Sequence, residues 1–263
     1  MSKKSTKLLD VIVIGAGASG MMAAITAARR GKSVAILERM NKPGKKILAT
    51  GNGKCNFTNN NMDTSRFHGN IQLIQSVLDR FSKEDTLSFF HEIGIWPKEK
   101  NGYYYPNSGQ AVSVVEAFNH ELNRLHVPVY LEQEVLDLFP DKYGFRIKTV
   151  QTSYTCRNVI VASGLLAASK LGSDGSMFSV IKELGHRFVP VLPALCGFYA
   201  KGIPFSKVAG VRCDANLTLK IDGDTATTEH GELQLTIMEF PVYRFFRSAV
   251  LQSVHFMRRK LLP

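Results

Sequence analysis

The run Val11-Ile12-Val13-Ile14, followed at once by Gly15-Ala16-Gly17-Ala18-Ser19-Gly20, constrains this chain more than any other feature. Four consecutive β-branched residues suit a strand buried on both faces of a parallel sheet. The three glycines fall at the G-x-G-x-x-G spacing, which lets the chain turn tightly, approach a diphosphate closely and pack a helix on the strand. The spacing predicts a helix over Met21 to Arg30, ended by Gly31. Its first backbone N–H groups lack intrahelical partners and lie at the positive end of the helix dipole, so an anion can bind there without a side-chain charge. Ser33 to Leu37 returns as a second strand and delivers Glu38, beside Arg39, at its carboxyl end. A carboxylate there accepts ribose hydroxyls and disfavours a 2′-phosphate, so FAD or NAD fits better than NADP. The strand, helix, strand and terminal acid together are the context a dinucleotide motif requires.

A chain of 263 residues, 44% hydrophobic and 21% charged, can bury the core of one large α/β domain or two smaller ones, and is not of disordered composition. Lys3-Lys4-Ser5-Thr6-Lys7 before an apolar run imitates a secretory leader, but Asp10 and the glycines interrupt it. No apolar run approaches the roughly 20 residues that span a bilayer. A soluble, cytoplasmic protein without a membrane partner is the expectation. Cys55, Cys156, Cys196 and Cys213 are scattered, with no metal-ligand spacing, which suits a reducing compartment and predicts no metal site.

The formal net charge is +11. Residues 1–60 hold eleven Lys/Arg against two acids, a balance of +9; residues 237–263 hold five against one, a balance of +4. Lys42, Lys45, Lys46 and Lys54 follow the glycine motif closely, so an anionic cofactor accounts for much of this charge; a solvated basic face and nucleic acid are the other readings.

Asn41 to Asn59 is crowded with Gly, Asn and Lys, a composition that opposes a stable helix and tolerates the left-handed backbone angles of a ligand-wrapping loop. Ile71, Leu73, Ile74, Val77, Leu78 and Phe81, then Leu87, Phe89, Phe90 and Ile93, recur at helical spacing and predict a helical packing unit. An aromatic turn region (Trp96-Pro97, Tyr103-Tyr104-Tyr105-Pro106) precedes a helix over residues 111–125. A strand follows at 126–131 and leads through Gln133-Glu134-Val135 to a hairpin at Asp141-Lys142-Tyr143-Gly144, with 145–150 as its return strand. Asn158 to Gly164 is a further buried strand ending in small residues that allow close approach to a cofactor. A helix over 177–184 ends at Gly185. Prolines at 190, 193 and 204 then punctuate a segment of short strands at 197–200, 209–212 and 217–221, so a domain boundary is expected near residue 190.

Four stretches carry a family resemblance: the glycine motif with Glu38; Gly44-Lys45-Lys46-Ile47 through Gly51-Asn52-Gly53-Lys54-Cys55-Asn56-Phe57-Thr58-Asn59; Tyr105-Pro106 with Ser108, Gln110 and Ala111; and Gly172-Ser173-Asp174-Gly175 through Gly185-His186 to Pro193-Ala194-Leu195. Together they resemble the YhiN/BaiN-like, or aminoacetone-oxidase-like, family of FAD-binding oxidoreductases, from residue 10 to about 236. The resemblance implies an α/β fold: a Rossmann-like two-dinucleotide-binding FAD domain with an inserted β-barrel-like segment and a small helical part. On that plan residues 1–190 form the FAD domain, with the helical and aromatic segment near 60–125; residues 191–236 are part of the insertion; and 237–263 is a divergent tail. FAD would be non-covalent. The carry-over puts its pyrophosphate on Gly15, Gly17 and Gly20, with Ala16, Ala18 and Ser19 in the same turn; ribose on Glu38, next to Arg39; the riboflavin half against Lys45, Lys46 and the loop Gly51, Asn52, Gly53, Lys54, Cys55, Asn56; adenine near Val135; and Ala162 and Gly164 behind the cofactor. Such families usually read Ala-Thr-Gly-Gly where this chain has Ala162-Ser163-Gly164-Leu165, so Leu165 adds bulk beside the cofactor.

The resemblance implies hydride transfer through FAD between a reduced nicotinamide (NADH or NADPH, bound transiently) or an organic donor and an unsaturated or carbonyl small molecule. Cys55 has two readings, a thiolate favoured by Lys54 or a small residue packed under a loop. His68, His91, His120 and His126 are proton donors by type alone, and no catalytic acid is nominated. After Thr236 the family pattern stops at Ile237; back-translation with free codon choice restores a Gly-Ile-Ser-Gly continuation in a shifted frame, an expectation that the coding sequence tests directly. A nucleic-acid-associated flavoprotein and a non-catalytic nucleotide-binding remnant stand as alternatives.

Overall fold

A computed structural model describes residues 8–67, 69–191, 196–198, 208–235 and 243–245. The chain divides into two compact units, Met1–Arg187 and Phe188–Pro263.

The first unit is built on a six-stranded sheet. Its parallel part sets β1 (Leu9–Ile14) between β2 (Val34–Leu37) and β9 (Ser153–Val161), in register Val11 to Val34 and Val11 to Asn158. The short β6 (Val129–Tyr130) extends it beyond β2, and β7 (Val135–Asp141) and β8 (Gly144–Thr149) add an antiparallel hairpin, giving the order β6-β2-β1-β9-β8-β7. The alternation of side chains in β1 explains why every residue from Val11 to Ile14 is apolar. Val11 and Val13 enter one core with Met21, Ile25, Val34, Ile36, Val115 and Phe118, while Ile12 and Ile14 enter the other with Leu37, Ile147, Cys156 and Met177. Each buried side chain of this size contributes about 1.5–3 kcal/mol relative to exposure.

Helix α1 (Ala18–Arg29) and α5 (Ala111–Arg124) cover the first face and α6 (Met177–Glu183) the second. Arg29 holds two neighbours to α1, donating at 2.8 Å to Glu121 of α5 and at 2.8 Å to Glu92. Glu121 is buried, and hydrogen bonds from Arg124, with Arg29 assisting, hold its carboxyl below the usual carboxylate range. Helix α4 (Lys83–Glu92) opens on a capping box between Ser82 and Asp85 and buries Phe89 and Phe90 against Phe57 and Phe118. A small antiparallel sheet orders β3 (Thr58–Asn59), β5 (Tyr103–Pro106) and β4 (Pro97–Lys100).

Several expectations change. The glycine-rich stretch after Glu38 does form helix, the five-residue α2 (Lys45–Ala49) and a 3₁₀ turn over Thr50–Gly53, because left-handed Gly44 starts the turn against Val115 and Ile47 buries beneath it. Helix α1 begins at Ala18, three residues before its expected start, since the glycine turn closes directly into it. The packing unit at 71–93 splits, and α3 (Ile71–Leu78) buries none of its residues; Ile71, Leu73 and Val77 are exposed despite their helical spacing. The strand expected at 126–131 shrinks to β6, because His126 takes φ +56° and turns the chain out of α5.

In the second unit β11 (Arg212–Ile221) and β12 (Asp224–Gln234) form a long hairpin through Asp222 and Gly223, both at positive φ as a type I′ turn demands. With β10 (Cys196–Phe198) and β13 (Tyr243–Phe245) they order β10-β13-β12-β11. The strand expected at 217–221 is the end of β11, which begins at Arg212 and has an irregularity at Leu219/Lys220, whereas residues 209–211 of the strand expected at 209–212 precede it outside any strand. Of the tail 237–263, only Tyr243–Phe245 lies within the described residues.

Candidate functional site

The carboxyl ends of β1, β2 and β9 converge because each loop leaving them is hydrogen-bonded to its neighbour. Gly15 donates to the Leu37 carbonyl, Ala162 to the Ile14 carbonyl, Gly44 to the Ala16 carbonyl and Gln133 to the Glu38 carbonyl, all at 2.8 Å. Gly15, at φ +103°, passes so near β9 that an added Cβ would lie 2.7 Å from the Ala162 carbonyl oxygen. The loops enclose a cleft of about 280 Å³ at the sheet's carboxyl edge, where open α/β folds bind ligands.

Twelve of the residues singled out in the sequence line this cleft: Gly15, Ala16, Gly17, Ala18, Ser19, Glu38, Arg39, Lys45, Lys46, Val135, Ala162 and Gly164. The first turn of α1 faces it with no side-chain cap and no acidic residue. At Gly17 an added Cβ would meet no atom beyond its chain neighbours within 4 Å, so the glycine leaves open space above the helix N-terminus, a cradle that suits a diphosphate. Gly20 has another task. It is buried, and a Cβ there would stand 1.9 Å from the Gly15 carbonyl oxygen, so its lack of a side chain lets α1 pack on the turn.

Glu38 does more than face the cleft. Its Oε2 accepts from the Ala16 N–H at 2.6 Å and its Oε1 from the Met40 N–H at 2.8 Å, so the carboxylate also fixes the two loops on either side of it. Lys42, Lys45 and Lys46 line the same cleft as positive charges, matching an anionic ligand. On the outer wall, Arg39 donates to Asp174 at 2.8 Å, and Lys46 makes a long 3.4 Å contact to Ser173, whose hydroxyl donates to the Leu165 carbonyl at 3.0 Å. Partial burial works against the Asp174 carboxylate, but the Arg39 guanidinium and the Ser176 donors prevail and hold its carboxyl down at about 2. Ser173, Asp174, Ser176, Met177, Gln133 and Glu134 were not singled out by sequence reasoning as site residues. The signal for the last two was positional, since they follow β6 at the same sheet edge. Leu165 is 51% exposed and does not line the cleft, so the bulk expected beside a cofactor points elsewhere.

The loop Gly51, Asn52, Gly53, Lys54, Cys55, Asn56 does not line this cleft. It lies beyond α2, with Gly51 against the Asn56 backbone and the Tyr105 ring. Cys55 is buried, and that burial pushes its thiol above the ordinary value, with the Thr50 side-chain contact opposing. Cys55 packs into the core as a small buried residue, as its second reading described, while Lys54 is exposed to solvent. His91, which stacks edge-on with Trp96, and the exposed His120 and His126 do not line the cleft; His68 lies outside the described residues.

The HI0933-like protein Rossmann-domain model matches residues 9–238. The chain belongs to the HI0933-like family. The cofactor that this family and fold support is FAD. Among relatives, the 3-dehydro-bile acid delta(4,6)-reductase of Clostridium scindens is 42% identical over 241 residues, covering 89% of this chain and 59% of that protein. The ribosomal RNA dihydrouridine synthase of Haemophilus influenzae is 32% identical, covering 69% of this chain and 46% of that protein. The chain thus spans about half to three-fifths of the length of these relatives. Among solved structures, the open conformation of a flavocytochrome c3 fumarate reductase superposes with a TM-score of 0.54 at 14% identity, over 79% of this chain and 47% of that one, a likeness of fold. No described helix is long and apolar enough to cross a membrane, and the described residues hold no cluster that could ligate a metal.

Proposed function

We propose that this member of the HI0933-like family is an FAD-dependent oxidoreductase, or the FAD-binding portion of one, acting on an unsaturated or carbonyl small molecule with a reduced nicotinamide or organic donor. The observation that carries the reading is the cleft itself: an uncapped helix N-terminus over open space at Gly17, a carboxylate at the end of β2 and lysines around both. In this reading the diphosphate lies on the backbone of Gly15 to Ser19, Glu38 and Arg39 mark the ribose end, Val135 packs on adenine, and Ala162 and Gly164 back the cofactor. The riboflavin half extends past Lys46 toward the Gly51 to Asn56 loop. When bound, FAD supplies the hydride chemistry; the chain supplies binding, orientation and exclusion of water. The similarity to the bile acid reductase favours a carbon–carbon double bond conjugated to a carbonyl as the acceptor. The second unit is the start of a β-rich inserted domain. A reducing compartment such as the cytoplasm suits the free thiols of Cys55, Cys156 and Cys213.

A second reading, an RNA-directed flavoprotein, is favoured by the dihydrouridine synthase relatives and by the +11 charge. The two acceptors share one chemistry, saturation of a double bond next to a carbonyl. RNA binding that weakens steeply with salt would favour the second reading.

The test is the visible spectrum of the purified chain, with the released flavin identified after denaturation. Stoichiometric FAD is expected, followed by oxidation of NADH or NADPH in the presence of enone substrates. A folded, colourless protein that FAD does not reconstitute overturns the reading and leaves the non-catalytic remnant.

A further inference from the structure

Arg39 directly follows the acid that ends β2, the neighbourhood from which a guanidinium accommodates the 2′-phosphate of NADP in dinucleotide folds. The sequence alone therefore sends two opposed signals at the ribose end, Glu38 against a 2′-phosphate and Arg39 for one. The structure shows Arg39 already engaged. Its Nη1 donates to Asp174 Oδ2 at 2.8 Å, lies 3.4 Å from the Ser176 hydroxyl and 3.9 Å from Glu134 Oε1. Asp174 is itself held, its Oδ1 accepting from the Ser176 N–H at 3.1 Å. With its carboxyl at about 2, Asp174 is charged at any working pH, and the guanidinium beside it is neutralised. Arg39, Glu134 and Ser176 all line the cleft next to Glu38.

We propose that Asp174 is a specificity-determining residue: by engaging Arg39, with Glu134 assisting, it withholds that guanidinium from the ribose and makes the cleft refuse 2′-phosphorylated nucleotides. The inference rests on the reading of the cleft as a dinucleotide site. It gives a purpose to the Gly172-Ser173-Asp174-Gly175 segment, which the glycine motif leaves unexplained. Its consequence is selectivity within one molecule. A 2′-phosphorylated nicotinamide donor does not compete with FAD for this cleft and is met elsewhere.

The experiment compares ADP-ribose with 2′-phospho-ADP-ribose, which differ only in the 2′-phosphate, by titration calorimetry on the full chain at low ionic strength. The unsubstituted protein is expected to prefer ADP-ribose. Asp174→Asn, which keeps the Oδ1 acceptor, is expected to reduce that preference about three- to tenfold, the effect of removing one charge at this range. High salt should shrink the change. Glu134→Gln, on an exposed side chain, should shift the preference the same way by less, and supplies the test if Asp174→Asn does not fold. In the double variant Asp174→Asn with Arg39→Met the gain should vanish. An unchanged preference in both single variants with native melting behaviour overturns the inference, as does a gain that survives loss of Arg39. If the unsubstituted chain binds neither nucleotide, the dinucleotide reading itself has failed.

Discussion

Gly17 and Gly20 belong to one motif, yet the geometry makes them fail in different ways when each becomes alanine. At Gly17 the added methyl meets no chain atom beyond its neighbours within 4 Å, and φ is −80°, open to any L residue. Two small terms then oppose each other in the free protein. Alanine is poorer than glycine at a helix N-cap by about 0.5–1 kcal/mol, while removing glycine's freedom in the unfolded chain returns about 0.4–1 kcal/mol. Gly17→Ala should leave stability near its starting value. At Gly20 the methyl would sit 1.9 Å from the Gly15 carbonyl oxygen, and that oxygen belongs to a turn tied to its neighbours. It must retreat by more than about 1 Å to reach ordinary contact. Overpacking of this kind costs about 1–3 kcal/mol, and for a unit of this size each kcal/mol lowers the melting temperature by about 2–4 °C. Binding should show the reverse emphasis for Gly17→Ala. Its methyl enters the space over the α1 N-terminus, so ADP affinity should fall at least about tenfold, or ~1.4 kcal/mol. The assay is thermal unfolding of both variants paired with calorimetric titration of ADP. A Gly17→Ala protein that melts normally and binds ADP normally would refute the placement of the diphosphate. A Gly20→Ala protein with unchanged melting would refute the packing role.

Glu38→Gln replaces an oxygen that accepts a backbone N–H with an amide donor, so one of the bonds to Ala16 and Met40 is lost; a destabilisation of about 1.5–3 kcal/mol is expected in denaturant unfolding. Cysteine labelling should separate by burial: in a Cys196→Ser background the exposed Cys213 reacts with a thiol reagent at pH 8 in the native state, while Cys55 and Cys156 react only on unfolding. Burial pushes the Cys156 thiol from the ordinary 9.0 up to about 11. Its folded value exceeds its unfolded one, so its contribution to stability is fully present below pH 9 and is lost as pH rises toward 11; Cys156→Ala should flatten that part of the stability profile.

What the sequence made legible was local. From Val11 to Glu38 the strand, turn, helix, strand and acid are contiguous, and each is set by its own residues: β-branched side chains for β1, glycines for the turn, Glu38 at the edge. The hairpin at Asp141 to Gly144 is legible for the same reason. What stayed hidden depends on pairs distant in sequence. Arg39 meets Asp174 and Lys46 meets Ser173 across separations of 135 and 127 residues, and no periodicity encodes such a meeting. Helix α3 shows the converse limit, because helical spacing of Ile71, Ile74 and Leu78 specifies an apolar face but not a partner to cover it. Gly20 shows that a motif's spacing and a family carry-over can point to different roles. The carry-over counts it as a cofactor contact, whereas its position behind Gly15 gives it the helix-packing role that the spacing also implies. If the cleft holds a dinucleotide as proposed, its affinity rests on residues of two kinds, those that leave room for the ligand and those that hold the room's shape, and only their separate responses to the same methyl group tell them apart.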